Sequence, residues 1–431
     1  MNASTLFGRS SRRARLLATG TAAAAALALT GCAGSAGDAD ASEGGGDGFA
    51  YGASQEEVDA AIADLEPVNL VFQASATSPN SEIATSNIAF AEEVEKRSGG
   101  KITVDIQYGH PIAGYDEIYD ALVDGRVDIS YTNPAYDPDK FDGFDALVGI
   151  TSSLPESPMA GELVAIAALT ELAWTSEEIT QDFADQGLVP LVPVNPPGAY
   201  FSLCNEPGNT LDDWQGRQVR IGSTTHSELV TSMGGSPVSL EYVETYEALQ
   251  RKTIDCTMIV MSAALEAGYF EIAPNMQYTG GMALPRIFGS MLAGSKVDQM
   301  PTAYKQIVFD SWQVSHYDGL KRVPTDNMRA VEAANEKGGE ITQFGDDVKE
   351  LIEENRQTSM DDAVESGLLG DDIDTRMADT VEKWEGIVAE LGYEDGGTLT
   401  DMDEWFSEEE FDTKPYVDRL YEEVISKHRP S

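Results

Sequence analysis

Positive charge is scarce in this chain. Its 431 residues include 28 Lys and Arg against 74 Asp and Glu, a formal net charge of −46. No basic stripe is available for a polyphosphate backbone, and an anionic bilayer would repel such a surface, which excludes nucleic-acid recognition and charge-driven membrane binding. Histidine is thin as well: His110, His226, His316 and His428 show no metal-ligand spacing. There is no Gly-x-Ser-x-Gly elbow and no phosphate loop. Asp137-Pro138-Asp139-Lys140-Phe141-Asp142-Gly143 begins like a calcium loop, but Phe141 stands where a ligand is required and the glycine is one place late. Acids are so abundant that no pair of them marks acid–base chemistry. Neither catalysis, nor a cofactor, nor a metal centre is expected.

Long apolar runs are missing too. The longest, roughly Leu16 to Leu29, is too short to span a bilayer comfortably and follows Arg9, Arg12, Arg13 and Arg15 with no acid before Asp38. This is the layout of a secretory signal. It ends in Leu29-Thr30-Gly31-Cys32, which resembles the bacterial lipobox, whose cysteine is diacylated and becomes the mature N-terminus. Residues 1–31 are thus read as a lipoprotein signal peptide, with Cys32 as the lipidation site. Their removal takes away four Arg, so −46 becomes −50. Residues 32–54, rich in Gly, Ala, Ser and Asp, read as a flexible tether. Cysteine occurs only three times, which leaves Cys204 and Cys256. Outside the cell two such thiols tend to pair, a bridge worth on the order of 4 kcal/mol; two buried free thiols are the alternative.

The body is 42% hydrophobic and can bury a core. A strand is expected at 68–72, a helix capped by Ser81 and running to Arg97, a strand at 101–108, a helix at 115–124 and a strand at 127–132. The order returns with a strand at 217–221, a helix at 225–233, a strand at 238–240, a helix at 243–252 and a strand at 254–260. At an offset of 127, Tyr115, Tyr119, Ala121, Leu122 and Asp128 align without gaps on Tyr242, Tyr246, Ala248, Leu249 and Asp255. Two similar α/β units in one secreted chain imply two lobes with a cleft between them. Beyond Leu284 the composition turns helical, and the acidic, aromatic tail from Tyr393 reads as an added helical layer rather than a site.

Four stretches carry a family resemblance: Phe90 to Gly109, the helix-to-strand passage ending Gly125-Arg126-Val127-Asp128, Leu211 to Ser223, and Gly234 to Cys256. Their order and spacing resemble solute-binding proteins of tripartite ATP-independent periplasmic (TRAP) transporters over roughly residues 68–317. The resemblance implies an α/β, two-lobed periplasmic-binding-protein-like fold with a ligand cleft between lobes and long C-terminal helices. The lobes would comprise 66–199 plus about 286–325, and 200–285 plus about 326–392, with 393–431 as an acidic extension. The implied work is capture of an organic acid for an integral-membrane permease, from a lipid-anchored position outside the cell. The same body could instead serve an ATP-driven transporter or a sensor, and least of all a secreted enzyme.

In that family an Arg of the third stretch pairs with the ligand carboxylate, which falls here on Arg220. A guanidinium fork suits a carboxylate. Arg217, three residues away, should face oppositely. The fourth stretch supplies Tyr242, where the family commonly has an aromatic against the ligand. Tyr131 and Asn133 follow a strand end, where α/β ligands bind, and Ser75 follows the first strand. Two departures stand out. A second family Arg falls roughly on Tyr200, and the polar run that often follows the last strand's Asp is replaced by Cys256, Thr257, Met258, Ile259 and Val260. A monocarboxylate with an apolar or aromatic body suits Tyr200, Tyr242 and Met258 better than a hydroxyl-rich sugar acid.

Overall fold

The computed structural model describes residues 47–431, except Glu82 and the side chains of 316–318. The signal peptide, Cys32 and most of the tether lie outside the described residues. Eleven strands are described: β1 (Val68–Ala74), β2 (Ile102–Tyr108), β3 (Ile129–Thr132), β4 (Val189–Asn195), β5 (Tyr200–Cys204), β6 (Gln218–Ile221), β7 (Ser236–Ser239), β8 (Cys256–Val260), β9 (Asn275–Tyr278), β10 (Gly289–Ala293) and β11 (Ile341–Gln343). They form two sheets, in the orders β2-β1-β3-β10-β4 and β7-β6-β8-β5-β9-β11. In each, a central strand runs parallel to its two neighbours: β1 between β2 and β3, and β6 between β7 and β8. In each, the next strand is antiparallel and comes from a chain crossing, β10 in the first lobe and β5 in the second. The chain crosses between lobes after β4 and returns before β10.

The repeat read in the sequence is present down to its hydrogen bonds. Asp128 accepts the amide of Val71 at 2.8 Å, and Asp255 accepts that of Gln218 at 2.8 Å. The backbone amides of the two aspartates return the bond to the same residues, at 2.9 Å and 2.7 Å. Each carboxylate therefore ties the start of a third strand to the central strand beside it. Cys204 and Cys256 are register partners across β5 and β8, with their sulfurs 2.04 Å apart.

Several expectations need correction. The first long helix begins at Ala84, and the Ser81 side chain makes no capping bond. The tether ends sooner than residue 54. Phe49 N–H donates to Gln306 at 2.7 Å, the Tyr51 ring stacks on Tyr421 at 3.9 Å, and Ser54 caps the helix Gln55–Ala61 in a capping box with Glu57. Helices at Asp142–Ile150, Ala160–Thr175 and Glu177–Asp185 fill a region left blank above. Ala160–Thr175 is buried on nearly every face, so its sequence shows no polar stripe.

The C-terminal helices wrap this body. Thr302–Asp318 packs on Ala84–Arg97, and Arg322–Glu336 packs on Met261–Glu266 of the second lobe. Tyr416 of the tail donates to Leu163 O at 2.8 Å, while Arg429 pairs with Asp310 at 2.8 Å and donates to Phe49 O at 2.7 Å. No helix among the described residues is long and apolar enough to cross a membrane.

Candidate functional site

Between the sheets lies a cavity of about 810 Å³, a size ordinary for a small-molecule site. The strands approach it with their ends. From the first lobe come Ser75 just after β1 and Tyr131 and Asn133 at the end of β3; Tyr200 opens β5 after the crossing, and Arg220 and Tyr242 come from the second lobe. Six of the residues expected from the sequence thus meet at one cavity. Met258 is the exception. It is 0% exposed, and the wall is made by Ile259 and Val260 instead. The cavity sits at the strand's end, and Met258 is one pleat deeper, in register with Ser202 rather than with Tyr200.

Arg220 is 2% exposed at the end of β6. Its Nε donates to Leu240 O at 2.9 Å and its Nη2 to the Tyr136 hydroxyl at 3.2 Å. Leu240 belongs to the second lobe and Tyr136 follows the last parallel strand of the first, so the guanidinium joins the two sides of the cleft. Among the described residues no carboxylate lies within 4.0 Å of it. A buried charge without a counter-charge is costly, and an entering anion removes that cost. Gly222 makes room for this arrangement: a Cβ there would sit 3.2 Å from the guanidinium and 2.8 Å from Ile287. Arg217 turns elsewhere, donating to Pro207 O at 2.7 Å and packing over the Trp214 ring.

Around Arg220 the walls are phenolic. Burial pushes the hydroxyls of Tyr115, Tyr131, Tyr200 and Tyr242 well above their ordinary pKa, so all remain neutral hydrogen-bonding groups. Tyr200 donates to Ile287 O at 2.9 Å and Tyr242 to Ala263 O at 3.0 Å, which fixes their rings. Asn133 presents a buried Oδ1 that has no hydrogen-bond partner among the described residues.

Two wall residues escaped the sequence argument. Tyr136 sits in a 3₁₀ turn after Asn133-Pro134, a dipeptide that reads only as a turn. Tyr115 does carry a signal in the sequence: it is the repeat partner of Tyr242, and both line the cavity. It is positioned by Gln73 of β1, whose Oε1 accepts the amides of Ile112 and Ala113 at 3.0 and 3.2 Å. Tyr115 then packs edge-on against Tyr136 at 5.5 Å. The tail is not a bystander either, since Glu408 reaches the cavity mouth.

Residues 73–366 match the model of the bacterial extracellular solute-binding protein family 7, DctP. The chain belongs to that family, the solute-binding proteins of TRAP transporters, whose members bind solutes outside the cytoplasm for membrane permeases and are not enzymes. A solute-binding protein of Verminephrobacter eiseniae is 22% identical over 263 residues, covering 61% of this chain and 76% of its own length. A TRAP protein of an unidentified marine microbe, specific for aromatic acids and holding 3-hydroxybenzoate, superposes with a TM-score of 0.62 at 18% identity, over 76% of this chain and all of its own. A Bordetella pertussis receptor that binds pyroglutamic acid gives 0.60 at 15%, over 73% and 99%. One from Rhodoferax ferrireducens with copurified benzoate gives 0.60 at 19%, over 75% and 98%.

Proposed function

We propose that this protein captures an organic acid carrying one carboxylate and an apolar or aromatic body, and delivers it to a TRAP-type permease. The observation that carries the reading is Arg220: a buried guanidinium with no carboxylate beside it among the described residues, facing a cavity walled by tyrosines. The acid's carboxylate pairs with the guanidinium, and its body lies against Tyr115, Tyr131, Tyr200 and Tyr242. Ser75 and Asn133 supply polar contacts. The lobes, 66–199 with about 286–325 and 200–285 with about 326–392, close on the ligand about the crossings, and the permease receives the closed form. Diacylation at Cys32 holds the protein at the outer face of the membrane. The acids bound by the structural neighbours, 3-hydroxybenzoate and benzoate among them, support the class.

The test is thermal unfolding of the chain from Ala33 onward, refolded to strip carried ligand, against a panel of carboxylates and sugars. Ligand at 100 times its Kd adds about 2.7 kcal/mol and moves the midpoint by several degrees. Arg220→Ala should abolish the shift, because losing one partner of a buried charge pair costs roughly 2–5 kcal/mol of binding. Arg217→Ala should keep it. A shift indifferent to Arg220, or one given only by neutral solutes, would sink the proposal.

A further inference from the structure

The family match stops at residue 366, and the related structures are covered almost in full by about three quarters of this chain. The tail beyond residue 366 lies outside the family match, yet part of it reaches the cavity. Residues 407–410 form a turn closed by the Phe411 amide donating to Ser407 O at 3.1 Å. Phe406 and Phe411, both buried, flank the turn with their rings 5.5 Å apart. The turn is therefore anchored on both sides, and it carries Glu408 to the cavity mouth, 3.7 Å from Arg329. Glu92 and Glu93 of the helix Ala84–Arg97 reach the same cavity.

The charges are unevenly placed. Among the described residues, five acids and four cations line the cavity. Arg220 is one of the four and is buried. Of the rest, Lys96 pairs with Glu93 at 2.7 Å and Arg322 with Asp326 at 3.4 Å. Away from Arg220 the described lining thus has three cations against five acids, and even with Arg329 counted beside Glu408 the acids prevail five to four. A first carboxylate finds Arg220; a second, reaching for the mouth, meets like charge. Repulsion of the wrong ligand is as good a source of selectivity as attraction of the right one.

We propose that the C-terminal tail makes Glu408 a specificity-determining residue of the ligand site, turning away acids that carry a second negative charge. This rests on the carboxylate reading above. The experiment is calorimetric titration of the chain from Ala33 onward, and of its Glu408→Gln and Glu408→Lys variants, with benzoate and with terephthalate in 20 mM and 500 mM NaCl. These acids differ by one carboxylate on the same ring. The wild type should prefer benzoate about tenfold or more at low salt. Glu408→Lys should narrow that preference about fivefold and Glu408→Gln by less, with the larger gain in affinity falling on terephthalate. High salt should shrink the differences, since exposed charges are screened over about 10 Å or less at such ionic strengths. An unchanged preference in Glu408→Lys, with benzoate binding intact, overturns the role of Glu408 alone. Absence of binding to either acid, together with a carboxylate panel that gives no thermal shift, overturns both readings. If another monocarboxylate shifts the midpoint, that acid and its dicarboxylate analogue replace the benzoate pair, and the same ratio decides.

Discussion

Two buried side chains respond to pH in opposite senses. His226, on the helix Thr224–Ser232, is 0% exposed and bonds to Pro285 O at 2.8 Å, and burial pushes its pKa down to about 4. The folded chain refuses a proton that the unfolded chain accepts below about pH 6.5. Stability from this group is intact above 6.5 and is lost as pH falls toward 4, about 3 kcal/mol in all. Glu156 behaves in reverse. Its Oε2 is shut off from solvent, and burial pushes its pKa up to about 8, with the nearby Arg286 countering part of the rise. The folded chain holds a proton that the unfolded chain releases above about pH 4.5, so stability is lost as pH rises toward 8. Glu156→Gln should therefore gain stability over the wild type progressively from pH 4.5 to 8. His226→Asn should gain as pH falls from 6.5 to 4. Urea unfolding across pH 4–8 measures both; parallel wild-type and Glu156→Gln curves would refute the assignment.

At the scale of elements, the β5–β8 pair matters most, because β5 enters the second sheet directly from a crossing. Its bridge closes a separation of 52 residues, a constraint worth about 4 kcal/mol on loop entropy. Cys204→Ser/Cys256→Ser should lose about 2–4 kcal/mol in urea unfolding. Reductant should act on the wild type alone, and a wild type indifferent to it would count against the bridge. Elements were legible where chemistry left a pattern. Ile102 to Tyr108 alternates as a half-buried strand must, and the Tyr–Ala–Leu–Asp spacing announced the repeated unit. The crossings were not legible. β4 and β10 pair with partners far along the chain, and Ala160–Thr175 is buried on nearly every face, so neither period nor polarity separates them from generic core. In the site, Arg220 was readable because the stretch Leu211 to Ser223 resembles a family motif whose Arg meets a carboxylate. Tyr136 was not, because its role depends on a lobe contact that no local pattern encodes. Met258 failed on depth alone: its face was right and its pleat was wrong.

The molecule as a whole must fold against its own charge. A net −46 over one body gives self-repulsion that only counterions relieve. The bridging contacts of cation and acid are mostly at the surface and contribute little each. Raising NaCl from 20 mM to 1 M should therefore raise the melting temperature by several degrees, in contrast to a protein held by surface ion pairs. A scan showing no rise, or a fall, would remove self-repulsion as a dominant cost. The same field slows the approach of any anionic solute, so capture should quicken as salt increases.

Arg429 closes the molecule on itself. It lies 5.0 Å over the Phe49 ring while holding Asp310, so residues 49 and 429 meet at one spot beside the first lobe. Were the N-terminal side moored to a surface, that lobe would stay with its mooring and the other would make the excursion. The travelling half would be the one that owns Arg220. The solute would then wait against the tyrosines of a stationary wall while its counter-charge swings in to meet it.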